Sequence, residues 1–360
     1  MADVLALGYD GPPELTPLRV LTEWTLDPWA LAVLLLAGWL YLAGVRRVRR
    51  AGGSWSAGRT AAFCGGGIGL AGIATCSFLA VYWPVLFYVR AVQTIVLLLG
   101  VPLFVAMGRP LTLIIDAAPR FGPRLEAIVA GRVARLLTFP AITGMVLVLT
   151  PFLLYFTSWF DAGFHSAAVR ELTCAILVLP GLVFFWTLLR VDPVPRQYPY
   201  LVSLWVTAAE VVGDAVLGLA VIADRNLIAG PYYHAVARPW GPSLVSDQVL
   251  GGGALWILGD LIGLPFLAAV LIVMIREDES DARAIDAELD AKEADNDRAA
   301  EIPGGPCADP RGGAIGGHSA GPHAGTSGGA PSGTQQPWWE TDPRFADRFS
   351  PVDPGPASGQ

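Results

Sequence analysis

The sequence contains little histidine, little cysteine and few charged residues. Four histidines and four cysteines occur among 360 residues, and no two cysteines form a CxxC pair. A disulfide framework is therefore not predicted. Copper prefers Cys, Met or His ligands, and the predicted membrane spans carry no HxxxH or CxxC pair, so a copper site built within this chain is not predicted either. The HExxH and GxGD motifs of intramembrane enzymes are also absent from the sequence.

Apolar residues are abundant instead. Hydrophobic residues make up 53% of the chain and charged residues only 15%. The apolar residues form runs near the roughly 20 residues that cross a hydrocarbon core about 30 Å thick. Because lipid offers the backbone no hydrogen bonds, we predict that these runs are helices. The sequence thus predicts an all-α, polytopic membrane protein with seven transmembrane helices, at about 28–45, 61–81, 84–107, 137–159, 168–189, 200–223 and 250–275.

Arginines are unevenly distributed between the two sets of short loops. Since basic residues stay on the cytoplasmic side, we predict that the N-terminus lies outside and the C-terminus in the cytoplasm, as in a multi-pass protein of a bacterial plasma membrane. The predicted cytoplasmic loops carry Arg46, Arg47, Arg49, Arg50, Arg59, Arg109, Arg120, Arg124, Arg132, Arg135, Arg190 and Arg196, against Arg19, Arg170, Arg225 and Arg238 on the other side.

Composition divides the chain into four parts. Residues 1–27 form a predicted extracytoplasmic segment, and residues 28–275 form the membrane domain. Residues 276–302 are charged and are predicted to extend the last helix into the cytoplasm. Residues 303–360, rich in Gly, Pro, Ser and Ala, are predicted to be disordered. An aromatic motif at 337–351, PWWETDPRFADRFSP, interrupts this tail. It has two interpretations of about equal weight, adhesion to the membrane surface or docking of a partner.

One loop is expected to contact lipid head groups. The second half of the segment 109–137 places apolar residues at helical spacing together with three arginines. This pattern indicates a short helix lying in the cytoplasmic interface. Membrane lipid is therefore a predicted partner, and no nucleic-acid partner is predicted.

Ionisable side chains inside spans are costly, by roughly 2.5–3.5 kcal/mol each on insertion scales, yet several occur here. Arg90 and Gln93 lie in span three, Glu210 and Asp214 in span six, and Asp260 in span seven. Counted at about 1.5 Å per residue, all fall in the predicted outer half of the membrane. Glu210 and Asp214 are one helical turn apart and share a face. We therefore predict one outer polar pocket, in which Arg90 is the cation and the acids are its partners.

The pocket has two interpretations. Its ion pairs could hold helices in register, or it could bind a ligand, an ion or a partner protein. Asp247 and Gln248 lie just outside the membrane beside three glycines. They are predicted either to form the turn and cap before span seven or to close the outer mouth of the pocket.

The last outer loop and span seven carry the most specific pattern in the chain. The stretch RPWG-x4-SDQVLGGGALW-x3-D at 238–260 resembles the signature of the seven-helix bacterial CtaG-type cytochrome c oxidase assembly factors. YWPVLFYVRAVQTIVLLLGVPLFVAMGRPLTL at 82–113 resembles that family's third span and the following loop. FFWTLLRVDPVP at 184–195 resembles the end of its fifth span. The similarity covers about residues 25–295.

The chain departs from this family where the family carries intramembrane histidines. In the HxxQH-like position of span three it has Arg90, Gln93 and Thr94, so only the glutamine is retained. Asp214 stands where span six of the family has a histidine, and Asp260 stands where span seven tends to have Glu. The resemblance implies that a cation and an anion replace two neutral ligands, and we expect Arg90 and Asp214 to form an ion pair.

The resemblance implies a non-enzymatic assembly factor or scaffold for a cytochrome c oxidase, acting as a chaperone in copper-site maturation. Its implied partners are oxidase subunits and a copper carrier. No cofactor is expected in this chain, and copper would come through a partner. The main alternative is a small-solute or ion transporter that uses the buried Arg, Asp and Glu pocket, although repeated halves and paired broken helices are not visible in the sequence. An intramembrane enzyme is a third possibility, without a visible nucleophile–base spacing.

Overall fold

The computed structural model describes residues 9–193 and 198–300, and every regular element in these residues is helical. The prediction of an all-α protein is confirmed. The predictions for Arg196, for the tail at 303–360 and for its aromatic motif at 337–351 concern residues outside the described part of the chain.

Short connections join most of the helices. Two of the helical segments, Ala62–Ile68 and Val96–Gly100, are π-helical. The α-helices of the described residues are α1 Pro17–Thr22, α2 Pro28–Arg50, α3 Ala57–Ala61, α4 Gly69–Cys76, α5 Phe78–Tyr82, α6 Phe87–Ile95, α7 Val101–Met107, α8 Pro110–Ala117, α9 Gly122–Val129, α10 Arg132–Leu137, α11 Pro140–Phe156, α12 Ser158–His165, α13 Ala167–Leu189, α14 Tyr200–Ala223, α15 Gly230–Val236 and α16 Leu244–Ala300.

Within the described residues, six helical stretches are long and apolar enough to cross a membrane. A seventh arises if α11 and α12, which meet at a bend of 66°, count as one broken span. The seven predicted spans thus correspond to six or seven helices. α11 alone has 17 residues, about 25 Å at about 1.5 Å per residue, so it is shorter than the predicted span 137–159. The orientation of the helices across the membrane remains a prediction.

Contacts between helix ends define two ends of the bundle. At one end, Asp27 before α2 lies 4.0 Å from Arg170 at the start of α13. At the other end, Asp192 after α13 accepts hydrogen bonds from the start of α8, where the Thr112 amide lies 2.9 Å away. We call these the Asp27 end and the Asp192 end. The predicted topology places the Asp27 end outside.

Local sequence explains where α2 begins. Pro28 occupies its first turn, where a missing N–H costs nothing. The Asp27 carboxylate accepts hydrogen bonds from the Trp29 amide at 2.9 Å and the Ala30 amide at 3.1 Å. Such a cap contributes roughly 0.5–2 kcal/mol. The arginines in the last turn of α2 place positive charge where the helix dipole favours it.

The most buried part of the bundle is the third span, in which α6 continues through Val96–Gly100 into α7. Leu97, Leu98 and Leu99 are almost fully buried there. Gly181 on α13 permits this close packing, because a Cβ at that position would collide with the Leu98 carbonyl oxygen. The residues Arg90 and Gln93 are thus carried by the innermost helix.

α2 lies at the edge of the bundle and is attached through a few residues near its end. Tyr41 stacks on Phe63 with ring centroids 3.9 Å apart, and its hydroxyl donates to the Gly108 carbonyl at 2.7 Å. Most other apolar side chains of α2 are exposed, as suits a helix that faces lipid.

The segment 109–137 contains more helix than the sequence predicted. Where one interfacial helix was expected, the structure has α8, α9 and α10. Ile128, Val133 and Leu136 on the last two are exposed. These side chains give α9 and α10 an apolar surface suited to the head-group region.

The predicted charged extension of the last span is helical, because α16 continues without a break to Ala300. Its exposed surface carries charge pairs one turn apart, such as Glu279 with Arg283 at 3.1 Å and Glu288 with Lys292 at 2.8 Å. Pairs of this kind support an isolated helix by a few tenths of a kcal/mol each. The residues that form the site below lie in the first of two compact units, Met1–Ala294.

Candidate functional site

The buried polar side chains fall into two groups instead of the one pocket that the sequence predicted. Arg90 and Gln93 line a cavity at the Asp27 end. Glu210 and Asp214 face glycines of α16 and do not line that cavity. Among the described residues, the Arg90 guanidinium forms no ion pair. The predicted pairing of Arg90 with Asp214 is therefore wrong in this structure.

Arg90 is held by neutral partners. Its Nη1 donates to Gln93 Oε1 at 2.6 Å, and its guanidinium carbon lies 5.0 Å from the centroid of the Trp83 indole. Gln93 is fixed in turn, because its Nε2 donates to the Ala74 carbonyl at 2.7 Å. The residue at Arg90 is only 4% exposed. Helix α6 and its neighbours therefore present a cation in a fixed orientation without neutralising it.

Thr94 joins the next turn of α6 to α11. Its hydroxyl donates to the Arg90 carbonyl at 2.9 Å and lies 2.9 Å from the Tyr155 hydroxyl. All three residues are buried. This link fixes the helix that carries Arg90.

A second group of charged side chains lies at the edge of the same cavity. Arg170 Nε donates to Glu171 Oε1 at 3.1 Å, and its Nη2 lies 4.0 Å from Asp27 Oδ2. The arginine is thus shared between two carboxylates. Arg170 was not among the residues that the sequence predicted for the pocket.

The Asp27 carboxylate lies outside the spans and has a perturbed acidity. Partial burial raises the pKa of this group, whereas hydrogen bonds from the Ala30 and Trp29 amides lower it. Contacts with Glu171 and with the Arg170 guanidinium lower it further. The lowering causes outweigh burial, so the pKa lies below the ordinary value of 3.8 and the carboxylate keeps its charge near neutral pH.

The cavity between these two groups has a volume of about 320 Å³. Trp83 and Pro84 form one wall, and Cys174 on α13 lies beside Arg90 and Gln93 in its lining. Residues 25–28, before and at the start of α2, also line the cavity. The lining thus contains an unpaired cation, Arg90, and a rim in which two carboxylates share one guanidinium.

The acidic residues occupy a tight interface between α14 and α16. Glu210 and Asp214 are buried on one face of α14, and a Cβ added to Gly263 would lie 3.0 Å from Glu210 Oε2. A Cβ added to Gly259 would lie 2.8 Å from the Asp214 carboxyl carbon. The two glycines, spaced as GxxxG, allow the helices to approach closely. Asp260 follows Gly259 directly.

This interface contains carboxyl oxygens without partners. Asp214 Oδ2 and Asp260 Oδ1 are buried and have no hydrogen-bond partner within the described part of the chain. Little space surrounds the Asp214 carboxyl, because α16 lies directly against it. The arrangement is that of a packed helix contact rather than of a binding pocket.

Asp247 fastens α16 to α6. Its carboxylate accepts hydrogen bonds from the Phe87 and Tyr88 amides, each at 3.0 Å, and from Arg238 Nη2 at 2.8 Å. Asp247 therefore caps a helix 160 residues away rather than its own, unlike the cap that the sequence predicted. Both partners of the ion pair are buried.

Gln248 ties together the connection after α14. Its Oε1 accepts from the Ile228 amide at 2.9 Å, and its Nε2 donates to the Val221 carbonyl at 3.1 Å and the Asp224 carbonyl at 3.2 Å. Neither Gln248 nor Asp247 lines the cavity that contains Arg90. The predicted closure of that pocket's mouth by these two residues is not what the structure shows.

Two further polar residues were missed by sequence reasoning. Asp192 caps α8, since its carboxylate accepts from the Thr112 amide at 2.9 Å and the Leu111 amide at 3.2 Å. Arg238, counted only as a loop charge, is the partner of Asp247. Both lie in stretches that carry the family resemblance, RVDP and RPWG, and this was the only signal available in the sequence.

The described side chains do not fit a copper site. They contain no group of three or more His, Cys, Asp or Glu residues placed to hold a metal ion. Cys174, which lines the cavity, has Arg90 and Gln93 beside it, and a buried cation disfavours a second positive charge at the same place. The donors near this cysteine are thus not those that copper prefers.

Sequences similar to this chain are known. The family model described as cytochrome c oxidase caa3 assembly factor (Caa3_CtaG) matches residues 39–277. An uncharacterized protein of Mycobacterium leprae is 29% identical over 299 residues, which cover 81% of this chain and 45% of that protein. Uncharacterized proteins of Mycobacterium bovis and Mycobacterium tuberculosis are 29% identical over 301 residues, with the same coverage. The chain spans about half the length of the curated relatives it matches. No solved structure matches it.

Proposed function

The chain belongs to the cytochrome c oxidase caa3 assembly factor family, and from this membership we propose that it is a membrane-integral scaffold that holds an oxidase subunit during assembly. The observation that carries the proposal is the match over residues 39–277. This range runs from within α2 into the charged part of α16 and contains the cavity's inner wall, the α14–α16 interface and both long-range caps. An assembly factor acts by binding, so no turnover of a substrate is proposed.

The buried polar contacts support a scaffold role. Asp247 connects α16 to α6, Gln248 connects α16 to the end of α14, and Asp192 connects the end of α13 to α8. Charged and amide side chains that tie separate elements together make a bundle rigid. A rigid bundle suits a protein that presents one surface to a subunit during its maturation.

The oxidase subunit is proposed to bind within the membrane plane. The family implies an oxidase partner, and the helices of this chain expose apolar side chains along α2 and elsewhere. Copper is proposed to reach the oxidase through a separate carrier, because the described residues lack a ligand group for it. The role of this chain in copper-site maturation is then to hold the subunit, not the metal.

We place the protein in the bacterial plasma membrane, with residues 1–27 outside and residues 276–302 in the cytoplasm. The six or seven apolar helices support a multi-pass protein, and the arginine-rich connections at the Asp192 end support the orientation. Reporter fusions at Gly53 and Arg225, in connections at opposite ends of the bundle, test it. A cytoplasmic reporter should be active only at Gly53, and activity at Arg225 would reverse the proposed topology.

Deletion of the gene tests the function. In a host with a caa3-type oxidase, we expect weaker oxidase haem bands in difference spectra and less assembled subunit II, with both restored by the wild-type gene. Complementation with Asp247→Ala should fail, whereas Asp161→Ala, a change at a half-exposed acid of the same bundle end, should succeed. Unchanged spectra and subunit II levels in the deletion strain would contradict the proposed function.

A further inference from the structure

The cavity at the Asp27 end contains a buried cation with unused hydrogen-bond donors. A guanidinium offers five N–H donors and accepts none, and the described residues provide Arg90 with one oxygen acceptor, Gln93 Oε1, and with a contact to the Cys174 thiol. None of the Arg90 nitrogens belongs to the fully enclosed polar atoms that lack a partner, and Arg90 lines the cavity. Its remaining donors therefore open into the cavity.

The charge in the cavity is unevenly distributed. At the rim, Arg170 is shared by Glu171 and Asp27, so this group has one more carboxylate than guanidinium and offers an anion no free positive charge. Arg90, in the interior, is not paired with any carboxylate of the described residues. A buried charge without a counter-ion is costly, and an anion in the cavity would remove that cost.

The neighbours of Arg90 favour one class of anion. The Arg90 guanidinium carbon lies 5.0 Å from the centroid of the Trp83 ring, and Gln93 Oε1 accepts a hydrogen bond from Arg90 Nη1. These two contacts fix the plane of the guanidinium group. A fixed guanidinium plane suits the paired oxygens of a carboxylate or a phosphate. The volume of about 320 Å³ is enough for a small oxyanion or one lipid head group, but not for a large cofactor.

We propose that this cavity is a binding site for an oxyanion, a carboxylate or phosphate group, with Arg90 as its anchor, Gln93 as the residue that positions Arg90, and Trp83 as the wall. The phosphate can belong to a free anion or to a lipid head group, because the cavity lies at a helix end. The proposal is independent of the proposed function, since it concerns a ligand of this chain and not the oxidase.

Cys174 provides a readout within the site. It lines the cavity beside Arg90, so a bound anion should shield its thiol from a water-soluble thiol reagent. The wild-type full chain is labelled in detergent with and without inorganic phosphate or acetate, and in vesicles of phosphatidylglycerol or of a phosphate-free galactolipid. Labelling is measured on the Cys174 peptide by mass spectrometry, and Cys174→Ser identifies the background.

We expect at least one of these anions to slow labelling of Cys174 about tenfold, which corresponds to about 1.4 kcal/mol of protection. Protection by phosphate or acetate in detergent assigns the site to free anions, and protection only in phosphatidylglycerol assigns it to a lipid head group. Arg90→Gln should remove the protection. Arg225→Gln, which removes an exposed arginine at the same end, should keep it.

A second measurement uses only the wild-type protein and so does not depend on the folding of Arg90→Gln. A negatively charged methanethiosulfonate should modify Cys174 faster than a positively charged reagent of similar size, because Arg90 attracts the anion. Equal rates for the two reagents would overturn the proposal. Absence of protection by every anion, or protection that persists in Arg90→Gln, would overturn it as well.

Discussion

Asp247 accepts hydrogen bonds from two amides about 160 residues away and from Arg238 nine residues away. Its removal leaves the two amides without this acceptor and the buried Arg238 guanidinium without its counter-ion. Because breaking one half of a buried ion pair costs about 3–5 kcal/mol, we expect Asp247→Ala to lower the melting temperature in detergent strongly. Asp161→Ala, at a half-exposed acid near the same end, should change stability by less than about 0.5 kcal/mol. Equal melting temperatures for the two variants would contradict the clamp role of Asp247.

Two double-mutant cycles separate the pair that exists from the pair that does not. Arg238 and Asp247 are in contact at 2.8 Å, so their alanine variants should couple by about 1 kcal/mol or more. Arg90 and Asp214 form no ion pair among the described residues, so Arg90→Ala and Asp214→Ala should be additive within about 0.5 kcal/mol. The free energies come from reversible unfolding in detergent. A larger coupling energy in the second cycle would support the Arg90–Asp214 ion pair that the sequence predicted, and would contradict the structure.

At this scale, the sequence located several residues but not their partners. Asp247 and Gln248 stand out in a specific motif, yet Asp247 acts on amides 160 residues away. Tertiary contacts of this length leave no local signature, so a cap was predicted in the wrong helix. Arg90 was identified because placing a charged side chain inside a membrane span costs free energy. Its neutral partner Gln93 lies only one turn further along the same helix.

The interface of α14 with α16 makes a prediction about glycine. A Cβ at Gly259 would lie 2.8 Å from the Asp214 carboxyl carbon, whereas a Cβ at Gly253 would meet no atom within 4 Å. Gly259→Ala should therefore destabilise the protein by about 1–3 kcal/mol through overpacking. Gly253→Ala, in the same helix, should be neutral or raise the melting temperature, since alanine is the better helix former.

The two variants are compared by thermal unfolding under identical conditions. As a further test, Gly259→Ala is combined with Asp214→Ala or with Asp214→Asn. If the clash with the Asp214 side chain is the cause, the smaller alanine should recover part of the lost stability, and the isosteric asparagine should not. Equal behaviour of Gly253→Ala and Gly259→Ala would mean that the two helices do not pack as described.

The cap of α2 predicts an acid dependence. The pKa of Asp27 lies below its ordinary value of 3.8, so the stabilisation by its carboxylate is fully present above that value. It is lost as the pH falls through the lower pKa of the folded state. We expect the melting temperature of the wild type to fall more steeply than that of Asp27→Asn below pH 3.8. Melting curves between about pH 3 and 6 measure the difference, and parallel curves would contradict the assignment.

Elements were more predictable than contacts. Long apolar runs predicted most spans, because lipid leaves helices as the available structure. The break at Thr157, which bends α11 against α12, was not predicted. No proline or glycine marks that position in the sequence, and the bend depends on Thr157 capping α12 through the Trp159 amide at 3.2 Å.

For the whole molecule, the predicted single pocket failed for a geometric reason. Depth along a helix is readable from sequence, and it placed Arg90, Asp214 and Asp260 in the same half of the membrane. Depth does not give the direction in which a helix faces. Span three turns Arg90 toward α13 and the Asp27 end, whereas α14 turns Asp214 toward α16, and only the assembled bundle reveals this difference.

The clamp made by Asp247 also bears on how the chain is made. The Phe87 and Tyr88 amides emerge from the ribosome 160 residues before their acceptor does. At about 5–20 residues per second, the start of α6 must wait roughly 8–32 seconds for it, within the translocon or a chaperone, with two donors unpaired. The cap at the start of α6 can thus form only after the start of the last span has been synthesised.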